Sequence, residues 1–552
     1  MSIRERLPLV VRGLAARGRE PWIVLVPLLA VHWIAIVAFI LSVRHDGWLF
    51  YQGGDQIWYW TTSWLLGHGS IPIPRVSYGW PVVELLFVWI AGAGFVSSLP
   101  GIVLLQVVIL APIALYCVYD VAARIGGRPV GYLAALVWTI GPYAAIPLFV
   151  QRYHEKYVEQ FLPHTLGLTA MADYPAMVLL LAAAAVAVRA YQGRHLTTAV
   201  LAGLVAGFSC GIKPSNLIWP PILALVLLAA GRWRELFGFG AGIAPALGTL
   251  ALWKYQGYGY IPAFAYEPPA RLAVGAGTLL EPYHRYVNID WHHLNINKLQ
   301  LAEIFFSVRV LEVAPVAGAI AVARRSWSAA IFLSLWFWVI VVVKGAADSS
   351  SVENGSFFRF VLPAAPALIL LMAALPLLVP RAGVDLAERL PAPAPKPVSR
   401  RVLAMAAVAL GLIPLVAAAA VSPLGPGGNT TIQVDAIHVP VVQKLGLSAE
   451  VHGKQVLLRW RSAGSINASV FYRLYQARKP MELACKQVHA GSAHECHEAG
   501  TVVATTRSNE AVVQPGRGVW TYRVGVAANY LNDESLGDVF LVSRAVTVAV
   551  HE

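Results

Sequence analysis

Between residues 22 and 421 the chain alternates long apolar runs with short polar breaks; beyond residue 424 the pattern changes period. The first run, WIVLVPLLAVHWIAIVAFILSV from Trp22 to Val43, contains no Asp, Glu, Lys or Arg. It is long enough to cross a hydrocarbon layer of about 30 Å, and no small-residue cleavage site follows it. Similar runs lie near 101–122, 130–150, 174–191, 197–213, 217–231, 236–253, 303–322, 328–344, 361–379 and 402–421, so the pattern predicts about eleven spans. A further run, VVELLFVWIAGAG at 82–94, is too short to cross and return; it reads as an interfacial or re-entrant helix. After Leu424 the runs are short and rich in β-branched and aromatic residues: LSAEVHGKQVLLRWRSAG, ASVFYRLYQAR, NEAVVQPGRGVWTYRVGVAANY and VFLVSRAVTVAV. Gly, Pro and Asn turns separate them, which predicts strands. Trp460 on an early strand and Tyr522 on a late one suit the core of a small β-sandwich.

Charge orients the spans. Arg4, Arg6, Arg12, Arg17 and Arg19 precede the first span and hold the N-terminus in the cytoplasm. Arg124 and Arg128, the breaks RAYQGRH, GRWRE and ARRSW, and the Pro-rich RAGVDLAERLPAPAPKPVSRR all fall on the same side by alternation. The expected organisation is a cytoplasmic N-terminus (1–21), a transmembrane domain (22–422) whose outer loop 44–100 carries interfacial helices, and an extracytoplasmic β-sandwich (423–552).

Composition agrees. The 552 residues are 57% apolar and 13% charged, with a mean hydropathy of +0.61. This excludes a soluble globular protein. The net charge of +13 is explained by basic breaks between spans, so no nucleic-acid partner is expected. Cys117 and Cys210 lie in apolar runs and read as inert core residues. Cys485 and Cys496 lie in the polar C-terminal region and could form a disulfide in an oxidising compartment.

Few polar residues stand out at the outer ends of the spans. Asp55 sits in FYQGGDQIWYWTTSWLLGHGSIPIPRVSYGWP, among aromatics, just after the first crossing. Tyr51, Asp55 and Tyr59 would share a helix face. The competing reading makes Asp55 a first-turn acid favoured by the helix dipole. Asp173, in LTAMADYPAM, is either an N-cap ahead of Pro175 or a site acid. Lys213 precedes Pro214 at the end of a small-residue span; it snorkels to head groups or binds a lipid phosphate. Arg359, in NGSFFRFVLPAAPAL, is either an interfacial anchor or a second phosphate ligand. Glu84, Arg75, Tyr78, His164 and His292 share the outer regions and are candidate lining groups. Arg309 and Glu312 are expected to pair within one span.

In this order and on this side, GDQIWYW…LLGHG…YGWP, MADYPA, AGLVAGFSCGIKPSNLIWPP and FFRFVLPAAPAL resemble the GT-C superfamily of membrane glycosyltransferases. The protein O-mannosyltransferases and the lipid A aminoarabinose transferases are similar over roughly residues 20–380. The fold implied is an all-α polytopic membrane domain, here followed by a domain similar to fibronectin type III. The resemblance implies Asp55 as the catalytic base, Asp173 as a second acid, and Lys213 and Arg359 at the donor phosphate; Arg75, in the same outer region, is a further candidate for that phosphate. It implies sugar transfer with inversion from a polyprenyl-phosphate-linked donor to an extracytoplasmic glycan, lipid or protein, in a bacterial plasma membrane. The chain departs from the family in having GGDQ where an Asp–Glu pair is common, and it has no Asp-x-Asp in the second loop. No cofactor is therefore required, although a divalent metal at Asp173 or Glu84 stays open. The readings from other classes are a flippase for a lipid-linked glycan, which should show repeats and midplane charges, and an inactive scaffold displaying the β-domain.

Overall fold

The computed structural model describes residues 21–42, 55–67, 69, 76–91, 95–151, 163–258, 261, 289–305, 308–347, 349–353, 355–379, 390–421, 431–434, 437–440, 445–462, 470–478, 484–487, 494–497, 501–528 and 538–551. Its helices in chain order are α1 (Trp22–Ser42), α2 (Asp55–Gly67), α3 (Gly79–Ala91), α4 (Phe95–Leu104), α5 (Ala111–Gly126), α6 (Arg128–Ala144), α7 (Asp173–Gly193), α8 (Leu196–Ile212), α9 (Trp219–Ala229), α10 (Trp233–Tyr258), α11 (Trp291–Ile304), α12 (Val308–Ala323), α13 (Trp327–Gly345), α14 (Ser356–Val361), α15 (Ala365–Ala373), α16 (Arg400–Ala407) and α17 (Ile413–Ala420). By length and composition, seven of the described helices can cross a bilayer: Trp22–Leu41, Ser98–Gly126, Asp173–Gly193, Trp233–Gln256, Trp327–Gly345, Ser356–Leu378 and Arg400–Ala420. Gly79–Ile90, Leu196–Ile212 and Pro214–Ala229 are apolar but shorter.

The expected span at 303–322 is broken in two. Helix α11 ends at Ile304, and Phe305 forms an isolated antiparallel bridge with Phe149. The Val150 amide donates to the Ile304 carbonyl at 2.9 Å. The two phenyl rings, 4.7 Å apart, favour this local pairing over a continuous helix.

The chain forms two compact units. The first comprises Met1–Phe50, Val103–Gly248 and Pro282–Leu415. Its centre is α7, whose Tyr174, Met177, Leu180, Leu181 and Ala184 are all buried. Alanines at so many of its positions let α5 and α8 approach closely. Between α4 and α5 a turn of π-helix, Leu105–Leu110, interrupts the α ladder; the Trp33 indole donates to the Val107 carbonyl there at 3.1 Å. Helices α8 and α10 meet main chain to main chain: a Cβ on Gly203 would collide with the Phe239 carbonyl oxygen, and one on Gly242 with that of Val200. This is small-residue packing as membrane bundles use it, where no hydrophobic gain rewards larger side chains. Exposed Ile34, Leu41, Phe237 and Met405 suit a surface solvated by lipid.

The Pro-rich stretch read as a linker is fastened to this unit. The Leu390 carbonyl accepts from the Arg128 amide at 2.9 Å, and those of Pro391 and Pro393 accept from the Arg128 and Arg124 side chains at 3.0 and 3.3 Å. At its far end Val398 exchanges bonds with Thr197 and Thr198, both 3.2 Å. Asp120 orders this corner, taking Arg124 and Arg189 on one oxygen at 2.9 Å each.

The second unit comprises Tyr51–Ile102, Thr249–Glu281 and Val416–Glu552. It holds α2, α3 and twelve described strands in three sheets. The strands are β1 (Thr431–Val434), β2 (Ile437–Pro440), β3 (Ser448–His452), β4 (Gln455–Arg459), β5 (Val470–Ala477), β6 (Ala484–Gln487), β7 (His494–His497), β8 (Thr501–Thr506), β9 (Glu510–Val513), β10 (Gly518–Ala528), β11 (Asp538–Val542) and β12 (Val546–Val550). The sheet orders are β2-β1-β7-β6, β3-β4-β9 and β11-β10-β5-β8, with β12 also on β10. Trp460, directly after the end of β4 and not on the strand expected, and Tyr522 on β10 are both buried. The Trp460 ring packs edge-on against Tyr472 at 5.3 Å.

Candidate functional site

Three helix ends of the first unit meet at Asp173. The segment 165–176 leading into α7 is buried throughout, which leaves little room for water around a carboxylate. Asp173 opens α7 but does not cap it: the N-cap is Ala172, with no side-chain cap bond. Oδ1 instead accepts from Lys213 Nζ, and Oδ2 from Arg359 Nη2 at 3.3 Å. Asp173 is 2% exposed, while the side chains of Lys213 and Arg359 are 15% and 23% exposed. A buried carboxylate is kept charged only by such partners, since removal from water costs several kcal/mol.

Local sequence explains the convergence. Pro214 disfavours α conformation in the residue before it, and Lys213 is extended, with φ −133° and ψ 99°. The helix therefore stops, and the lysine turns back along its end instead of snorkelling outward. Its ammonium also faces the Phe360 ring at 5.8 Å. Ser209 donates to the Ala176 carbonyl at 2.7 Å and accepts from Asn216 at 2.9 Å, which stitches α8 and the turn after Pro214 to α7. Arg359 lies on α14, entered through Gly355 at φ +83°, a backbone state that favours glycine.

Sequence inspection missed Lys344. It stands in the last turn of α13 and is 8% exposed. The signal was present as one lysine closing the uncharged run WSAAIFLSLWFWVIVVV. The turn after it is held from α11, where Asn297 donates to Gly345 at 2.9 Å and to Ser350 at 3.1 Å, and accepts from the Val352 amide.

The other candidates lie elsewhere. Asp55 belongs to the second unit, where it is the exposed first residue of α2; Tyr59 and Tyr78 in that unit are buried. Glu84 on α3 is fully buried. Burial pushes its carboxyl well above the ordinary range, against a smaller opposing hydrogen bond from the Trp80 side chain. In the first unit His164 is buried, with Nε2 2.9 Å from the Trp138 carbonyl and its ring 4.5 Å from that of His32. Burial, then the neighbouring His32, pushes it down to about 3. His292 is exposed, and its amide donates to the capping Asp290 at 2.8 Å. Arg75 lies outside the described residues. Glu312 pairs with Lys298 at 2.9 Å, not with Arg309 as its spacing predicts. In the second unit Cys485 and Cys496 are direct partners across the antiparallel β6–β7 ladder.

Chemically, the Asp173 group suits an anion better than a cation. Both carboxylate oxygens already take a cation, and a divalent metal would meet two like charges. Among the described residues no three His, Cys, Asp or Glu side chains converge to hold a metal.

The architecture is thus a mostly helical chain with several apolar helices fit to span a membrane, followed by a C-terminal β-sheet region. Among solved structures it is similar to the oligosaccharyltransferase of Archaeoglobus fulgidus in its apo form, with 13% identity, a TM-score of 0.39, and coverage of 73% of this chain and 56% of that one. It is similar also to the same organism's AglB in complex with an inhibitory peptide and a dolichol-phosphate, with 13% identity, a TM-score of 0.40, and coverage of 74% and 56%. The chain thus spans a little over half the length of these proteins. No family model matches the chain, and no curated protein sequence does.

Proposed function

We propose that this chain is a membrane glycosyltransferase of the GT-C type. It takes a sugar from a polyprenyl-phosphate-linked donor and passes it to an extracytoplasmic glycan, lipid or protein. One observation carries the reading: Lys213 and Arg359 converge on the buried Asp173 at one end of an apolar helical bundle. That arrangement presents fixed positive charge where a lipid-borne phosphate would enter from the bilayer. The Arg fork and the Lys point charge both suit phosphate oxygens. Asp173 acts as the supporting acid that holds the two cations in place. Asp55, exposed at the start of an aromatic helix, takes the proton of the acceptor hydroxyl as it attacks the anomeric carbon. A single in-line displacement inverts that carbon, and the leaving phosphate is stabilised by the cations. The basic breaks between spans favour a cytoplasmic N-terminus and an extracytoplasmic C-terminal domain.

The test uses purified protein in detergent with a panel of radiolabelled polyprenyl-phosphate sugars. Release of polyprenyl phosphate from one donor by wild type, and not by Asp55→Asn, is the expected result. Absence of turnover of every donor, with lipid moved across liposomes instead, would favour the flippase.

A further inference from the structure

A shallow depression opens on the second unit where the turn 507–509 carries the chain from β8 in one sheet to β9 in another. Its volume is about 510 Å³, and it is lined by Arg459, Trp460, Arg507, Ser508, Asn509 and Glu510. That size falls within the roughly 300–1,000 Å³ of small-molecule sites. Five of these residues are exposed; the buried Trp460 is the floor. The walls are fixed before any ligand arrives. The Trp460 amide donates to the Asn509 carbonyl at 3.0 Å, and the Ser508 amide to Thr506 Oγ1 at 3.0 Å. Arg459 Nε donates to Glu510 Oε2 at 3.3 Å, across the β4–β9 ladder. A site held in this way loses little conformational freedom on binding.

The chemistry of the lining narrows the ligand. Arg459 faces two carboxylates, Glu510 and, at 3.9 Å, Glu450. Two arginines thus stand against two acids, and no excess of charge draws a free anion. The lining offers planar groups of both senses instead: guanidinium and amide N–H as donors, carboxylate and amide oxygens as acceptors, and a serine hydroxyl that does both. The floor is an indole, an apolar body with one polar handle. Its N–H has no hydrogen-bond partner among the described residues, and a buried donor left unanswered is costly. A sugar ring fits this pattern. Each hydroxyl donates and accepts, neighbouring hydroxyls meet one planar fork, and the C–H face is apolar enough to lie near an indole. We propose that the depression binds a neutral hexose unit of a glycan. The site stands apart from the transferase reading, since neither Asp55 nor any member of the Asp173 group lines it.

The experiment uses full-length protein in a detergent without a sugar head group. The probes are the methyl glycosides of glucose, galactose, mannose and N-acetylglucosamine and, as an anionic comparison, methyl glucuronide. Saturation-transfer NMR detects binding, and titration gives the affinity. Wild type should bind at least one neutral hexoside, and Arg507→Ala and Asn509→Ala should each weaken that binding about fivefold, as loss of one hydrogen bond does. Both side chains are exposed, and the Asn509 bond to Trp460 is made by main chain, so unfolding midpoints should stay at the wild-type value. Asp55→Asn should bind as wild type does, which keeps this test separate from that of the transferase. No binding of any neutral hexoside would overturn the inference. So would an affinity unchanged in both variants, or a tighter hold on the glucuronide than on every neutral probe.

Discussion

Asp173 and Arg359 stand 186 positions apart in the chain and 3.3 Å apart in space. Neither residue reaches its partner through a local motif. The contact exists because α7 and α14 end at the same level of the bundle. Since Lys213 holds the other oxygen of the same carboxylate, one substitution at Asp173 takes a partner from two cations.

Asp173→Asn should therefore destabilise the protein. Leaving two partly buried cations without their carboxylate is expected to cost about 3 kcal/mol. The apparent midpoint of thermal unfolding in detergent should fall, and Asp173→Glu should recover part of the loss. A midpoint equal to wild type in Asp173→Asn would mean that the group contributes no stability.

Asp55→Asn should separate activity from folding. The residue is exposed, so the midpoint should hardly move. Loss of a general base is expected to slow transfer by about 10² to 10⁴. Initial rates with the preferred donor would decide it, and full activity in the variant would remove Asp55 from the mechanism.

Gly203→Ala should be poorly tolerated although the change is one methyl group. The added Cβ has only the main chain of α10 to displace, at about 1 to 3 kcal/mol. Gly248→Ala, on α10 where nothing lies within 4 Å of a new Cβ, is the matched control. Equal yields of folded protein for the two variants would contradict main-chain contact at Gly203.

His164 should give the first unit an acid-sensitive stability. In the folded chain its imidazole is pushed down to about 3, so it is neutral near pH 6. In the unfolded chain it takes up a proton below about 6.5. Stability linked to this group is present above that value and is lost progressively as the pH falls toward the folded value. His164→Gln keeps a donor for the Trp138 carbonyl and should flatten that part of the midpoint–pH curve; an unchanged curve would assign the acid response to other groups.

The register of β6 and β7 puts Cys485 opposite Cys496. Directly opposed residues of antiparallel strands have Cα atoms about 4.5 or 5.5 Å apart, within the range a disulfide spans. We propose that the pair is oxidised in the mature protein. Alkylation without reductant should leave both cysteines unlabelled by peptide mass, and labelling of both would show free thiols.

Much of the helical frame was legible because an apolar run of about twenty residues has few fates. Single polar residues were less so. Asp173 before Pro175 has the pattern of an N-cap, and the cap was overridden by two cations whose arrival depends on helices far along the chain. Lys213 carries a readable local cue, its following proline, but proline says only that the helix ends, not what the lysine meets. Lys344 had no cue beyond its solitude in an apolar run. The break at Phe305 was hidden because its cause, Phe149, lies in another segment. In the C-terminal region Trp460 and Tyr522 were readable as core residues because large aromatics in short β-branched runs suit the core of a sheet domain.

Arg124 and Arg128 bond carbonyls of Pro393 and Pro391, 269 and 263 positions further along. During synthesis these arginines emerge long before their partners exist. While the chain is being inserted they are without these carbonyl partners, and positive charge beside an apolar helix resists translocation. Only after the Pro-rich stretch has been made do they become clasps. The two side chains thus become a fastening only late, and the hairpin of α5 and α6 passes the interval with that fastening open.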